Sequence, residues 1–150
     1  MTCQDNEILL NNTLIQMSCS FLQYVSESSP WVRVEATSIE GQVYVLAARQ
    51  RQDVSDIVNV LSAREHHIDF GSFPTEYTDQ QFLGLSMLIG RLKQSQKLVC
   101  DRISAAVVSL ESAGDVEGSE VLRAVSQHEA DILKALGEIE QDLKPMVAKA

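Results

Sequence analysis

The chain has 150 residues, of which 45% are hydrophobic and 22% charged, so it can bury the core of one domain without metals or disulfides. A net charge of −9 excludes a nucleic-acid binder, which needs a basic stripe, and an anionic membrane surface would repel it. Only three prolines and seven glycines punctuate the chain, which favours a few long helices over many short strands.

The first predicted helix runs from about Asp5 to Glu27, where Leu10, Leu14, Met17, Phe21 and Tyr24 recur at the spacing of one helical face. Ser28-Ser29-Pro30 ends it and caps the next helix, with proline in the first turn. So short a connection makes the two helices an antiparallel hairpin. Helix two is expected from about Trp31 to His66, with Ile39, Val43, Leu46, Val54, Ile57 and Leu61 inward. Ile68 to Tyr77 has glycine, proline and aromatics but no helical period.

A capping box, Thr78-Asp79-Gln80-Gln81, is predicted to open helix three, which carries Phe82, Leu85, Leu88 or Ile89, Leu92, Val99, Ile103, Val107 and Leu110 inward. Gly114 closes it and Asp115 caps helix four, whose inner row is Val121, Val125, His128, Ile132 and Leu136, ending near Pro145. Two connections are short, whereas the middle one spans about ten residues, roughly 33 Å when extended. That length is enough to return along most of a bundle. The expected fold is a single all-α domain over 1–150, an antiparallel four-helix bundle with a long crossover between helices two and three.

Cys3, Cys19 and Cys100 are too far apart for a zinc motif, and MTCQDNEILL lacks the basic start and apolar run of a signal peptide. No stretch has the roughly 18 unbroken apolar residues of a membrane span, so the expected setting is cytoplasmic. His66 and His67 are expected at the surface of a helix end, where cations favour the helix dipole. An Arg123/His128 spacing seen in some RNA-cleaving helical domains is short and common, and the acidic surface opposes RNA.

The residues of three helices resemble the ferritin-like proteins of the bacterioferritin kind. Leu9-Leu10-Asn11-Asn12-Thr13-Leu14, followed by Phe21-Leu22-Gln23-Tyr24, is similar to that family's opening helix. Asp53-Val54-Ser55-Asp56-Ile57-Val58 and His128-Glu129-Ala130-Asp131-Ile132-Leu133 resemble the stretches beside its metal ligands. The resemblance implies a ferritin-like crossover bundle, paired as a homodimer, whose di-iron centre takes a glutamate from each of two helices and Glu-x-x-His from each of the other two. In those places this chain has Thr13, Gln50 with Asp53, Leu92 or Gln96, and Val125 with His128.

Helical period marks Gln50, Asp53 and His128 as a polar layer in an otherwise apolar interior. No cofactor is expected, and no catalytic constellation is visible. The leading reading is a non-catalytic homo-oligomer or partner-binding protein, with Gln50, Asp53 and His128 as a hydrogen-bonded layer fixing helix register. The alternative is a protein that binds iron or another divalent metal at Asp53 and His128, with Gln50 as a further ligand.

Overall fold

The computed structural model describes residues 3–28, 37–80 and 84–148, and the protein is all-α. Its helices are α1 (Cys3–Ser18), α2 (Phe21–Ser28), α3 (Thr37–Ala63), α4 (Leu85–Ser112) and α5 (Val116–Ala148), with a 3-10 helix at Thr75–Gln80. Their packing is consistent with a bundle. The expected starts at Ser29-Pro30 and Trp31, the Gln81 member of the capping box, and Phe82 lie outside the described residues.

The single helix expected from Asp5 to Glu27 is two. Ser20 turns the chain: its backbone N–H reaches back to Met17 O at 3.2 Å, and its Oγ accepts the Gln23 N–H at 3.4 Å. Ser20-x-x-Gln23 is therefore the N-cap of α2, a start signal inside an apparently continuous apolar pattern. The break turns the polar side chains of Ser20 and Gln23 into the core, where both are buried.

α3 stops at Ala63 because Glu65 adopts a left-handed conformation (φ 56°), with His66 N–H bonded to Leu61 O and Glu65 N–H to Ser62 O, both at 3.0 Å. α4 stops in the same way at Gly114 (φ 75°), with Asp115 N–H on Leu110 O at 2.9 Å. Both closures satisfy carbonyls that a helix end leaves without partners. Asp115 then caps α5 as expected, accepting the Gly118 N–H at 2.9 Å. The other expected cap is not one. Thr78 lies in the 3-10 helix, and α4 starts behind Gly84 with no side-chain cap. α5 continues past Pro145 to Ala148.

Among the described residues, two apolar clusters make the core. One joins Phe21 and Val25 of α2, Ile39 and Val43 of early α3, Leu88 and Leu92 of early α4, and Leu136 and Ile139 of late α5. The other joins Leu10 and Leu14 of α1, Ile57 and Leu61 of late α3, Ile103 and Leu110 of late α4, and Leu122 and Val125 of early α5. Each fully buried leucine or isoleucine contributes about 1.5–3 kcal/mol, so these clusters supply most of the drive to pack.

Their membership sets the helix directions. α3 and α4 both run from the first cluster to the second, so they are parallel, while α1–α2 and α5 run the other way. Two parallel neighbours in sequence need a connection that travels back, and residues 64–80 do so along α1 and α2. Asn11 exchanges two 3.0 Å hydrogen bonds with the Asp69 backbone, and Ser18 Oγ donates to Phe70 O at 2.8 Å. Farther along, Phe73 meets Tyr24 and Tyr77 meets Phe21, with ring centroids 5.3 and 5.0 Å apart. Gly71 (φ 70°) lies so close to α1 that a Cβ there would stand 2.8 Å from Ile15 Cγ2.

Candidate functional site: a buried polar layer

Between the two apolar clusters lies a layer of polar side chains drawn from α3, α4, α5 and the α1–α2 break. Along α5 the buried residues Leu122, Val125, Glu129, Ile132 and Leu136 alternate steps of three and four. Val43, Ala47, Gln50, Val54 and Ile57 of α3 do the same, as do Leu92, Gln96, Val99 and Ile103 of α4. That spacing keeps one stripe facing the neighbouring helices, so Gln50, Gln96 and Glu129 point inward like the apolar residues on either side.

Gln50 is the hub. Its Oε1 accepts from Ser20 Oγ at 2.7 Å and Gln23 Nε2 at 3.0 Å, while its Nε2 donates to Glu129 Oε1 at 2.7 Å and Gln96 Oε1 at 3.2 Å. Both acceptor sites and both donors of the amide are thus in use. Gln96 Nε2 donates to Glu129 Oε1 at 3.1 Å and to Glu129 O at 3.0 Å. Gln23 closes the layer outward, donating to Ala47 O at 2.8 Å and accepting from Arg51 Nη1 at 3.1 Å.

Asp53, one turn beyond Gln50, has Oδ1 2.8 Å from His128 Nδ1. Asp53 Oδ2 and Glu129 Oε2 are buried and find no donor if both groups are ionised. A proton kept by one of the two carboxyls supplies a donor that these oxygens otherwise lack. Burial raises the Glu129 carboxyl to about 8, and the hydrogen bond to Asp53 adds to the rise, against the opposing pull of the Gln50 and Gln96 amides. Burial also raises Asp53, while its bond to Glu129 and nearby Arg49 oppose the rise. Glu129 therefore holds the proton at neutral pH and donates it to the Asp53 carboxylate, which in turn accepts from His128 Nδ1–H. A neutral acid resolves what would otherwise be a full charge at 0% exposure.

The structure brings all three sequence-derived site residues to one layer but alters their roles. His128 is not on the inner row: its side chain is 39% exposed, and Glu129 takes the buried position. The signal for Glu129 was present in the three-four alternation of Val125, Glu129 and Ile132. Gln50 has no lone pair left for a metal. Thr13, which the resemblance sets where a helix-one glutamate was expected, is buried and turns its hydroxyl to Leu9 O at 2.9 Å. Gln96 stands as an amide donor at the α4 position, and Leu92 is core. Among the described residues, no three His, Cys, Asp or Glu side chains converge as a metal-holding group. These residues do not fit a di-iron centre.

Cys100, one turn after Gln96, is half-buried, and burial with the nearby Glu129 pushes its thiol up to about 11, which keeps it protonated and unreactive. None of the helices described is long and apolar enough to cross a membrane. Neither the family models nor the curated proteins compared with this chain match it.

Proposed function

We propose that this protein is a ferritin-like antiparallel four-helix bundle, with its long crossover joining α3 to α4, in which a hydrogen-bonded layer replaces the di-iron ligands. It works through its surface in the cytoplasm, as a homodimer, another homo-oligomer or a partner-binding protein, and not as an enzyme. The observation that carries this reading is the saturation of Gln50, whose four hydrogen bonds tie the α1–α2 break, α4 and α5 to α3. A layer so fully paired with itself favours one helix register over its alternatives and leaves little for a ligand.

A second reading has its own support. Asp53 lies 2.8 Å from His128, and one carboxyl oxygen each of Asp53 and Glu129 is buried without a partner. In that case iron or another divalent metal binds at Asp53 and His128.

One experiment separates the two: aerobic loading with ferrous iron, desalting and elemental analysis of the full chain. The scaffold reading expects no retained iron. About two irons per chain would sink it, and about one metal, lost in the Asp53→Ala/His128→Ala double variant, would establish the second reading instead.

A further inference from the structure

The outer side of α4 differs from the rest of the surface. Met87, Leu98 and Val108 are 66%, 55% and 63% exposed. Met87 and Leu98 are eleven residues apart, close to three helical turns, so they lie in one line facing away from the core, with Val108 about 80° round the helix from Leu98. The same side carries Arg91, Lys97 and Arg102 against a single carboxylate, Asp101, in a chain whose net charge is −9. None of these three cations makes an ion pair among the described residues, whereas Lys93, on the flank toward α5, pairs with Glu140 at 3.1 Å.

Two depressions follow one another along the edge of this stripe. The first, of about 320 Å³, lies between α4 and the aromatic pair Phe21 and Tyr77, and Arg91 and Glu76 border it. The second, of about 290 Å³, lies between α4 and α1, floored by Leu9 and Ala105 and bordered by Arg102. Arg91 and Arg102 are eleven residues apart, roughly 16 Å along the axis at 1.5 Å per residue. The two make a discontinuous groove of mixed apolar and polar lining along α4, with Arg91 beside Glu76 at one end and Arg102 at the other.

We propose that this groove between α4 and α1–α2 docks an acidic amphipathic helix of another protein, apolar on one face and with carboxylates about three turns apart. The proposal rests on the reading that the protein works through its surface. A helix is the natural occupant because its three-turn repeat matches that of Met87 and Leu98 and that of the two arginines. Carboxylates suit the guanidiniums, which take them through two parallel N–H donors. A second copy suits the groove less well. Pairing α4 antiparallel about Leu98 would bring Arg91 beside the Arg102 of the second copy at both ends of the contact. A nucleic acid would meet three cations on a protein that is otherwise strongly anionic.

The probe is a fluorescein-labelled helical peptide of about 18 residues, with leucines along one face and glutamates flanking them. Its twin has lysines for the glutamates. With the full chain, fluorescence anisotropy should show binding of the glutamate peptide, weakening as sodium chloride is raised, and no binding of the lysine peptide. Arg91→Glu/Arg102→Glu should weaken binding at least about tenfold, as should Leu98→Glu. All three positions are exposed, so unchanged thermal melts should show that the variants fold.

The proposal is overturned if the glutamate peptide does not bind, or if it binds the arginine variant as tightly as the parent. It is also overturned if sedimentation shows a dimer that Leu98→Glu abolishes, which gives the face to a second copy, or if a single-stranded oligonucleotide competes for it. Iron retention tests the scaffold reading independently, so the two can fail separately.

Discussion

Replacing Glu129 with glutamine should make the protein less sensitive to alkali. In the parent, Glu129 Oε1 accepts from Gln50 and Gln96, and its other oxygen carries the proton given to Asp53. Glutamine keeps the shape, the two accepted bonds and a donor toward Asp53, but has nothing to titrate. The carboxyl is raised from 4.5 to about 8 in the folded protein, so the native state binds the proton more tightly than the unfolded chain. Stability from this group is complete below about pH 4.5 and is lost as pH rises toward 8. Each tenfold gain in proton affinity is worth about 1.4 kcal/mol, so with the proton shared with Asp53 the loss across that window is on the order of 3 kcal/mol. For a chain of this length that is roughly 6–12 °C in midpoint temperature.

Urea unfolding of both proteins at pH 5, 7 and 9 measures this directly. Near pH 5 the two should agree within about 1 kcal/mol, and by pH 9 the glutamine variant should be the more stable by on the order of 3 kcal/mol. Parallel pH profiles would refute the proton assignment. Glu129→Ala should instead destabilise by about 3 kcal/mol or more at every pH, because it opens a cavity and strips the Gln50 and Gln96 donors of their acceptor.

Gln50→Leu should cost about 3 kcal/mol in denaturant unfolding, since Ser20, Gln23, Gln96 and Glu129 each lose a buried partner; a neutral result would mean that the layer rearranges freely. Asp115 both caps α5 and takes a bidentate pair from Arg64 at 2.8 and 2.9 Å. Asp115→Asn keeps the cap and should cost about 1 kcal/mol, and Asp115→Ala about 2–3 kcal/mol, with equal losses refuting a role for the cap. Arg64 holds the Asp115 carboxyl below 3.8, so the parent's advantage over the asparagine variant should disappear as acid titration passes through that lowered value. Gly71→Ala should lower stability by about 1–2 kcal/mol and speed proteolysis of residues 64–80, because it strains a left-handed backbone and presses on Ile15.

Much of this architecture is legible in the helical period. Helices recur wherever apolar residues fall every three or four positions, and the polar exceptions on those rows, Gln50 and Asp53, reach the core layer that the spacing assigns them. The length of the middle connection also suits the parallel course of α3 and α4. Periodicity does less well at helix boundaries. Ser20-x-x-Gln23 preserves the apolar spacing on both sides, so the break is masked until the hydroxyl is seen capping α2 and bonding Gln50.

The choice between His128 and Glu129 shows where reading by sequence stops. Adjacent helical residues are about 100° apart, and both can border one broad inner face. From the chain alone, the row Val121, Val125, His128, Ile132 and Leu136 sets the histidine inward. In the folded protein Gln50 and Gln96 donate to one Glu129 oxygen and Asp53 faces the other, so the acid is buried as a neutral hydrogen-bond donor. By itself the sequence determined the helical character, the apolar faces and the acidic net charge, because these follow from local spacing and composition. Only the tertiary structure decided which carboxyl enters the core, because that depends on partners supplied by two other helices.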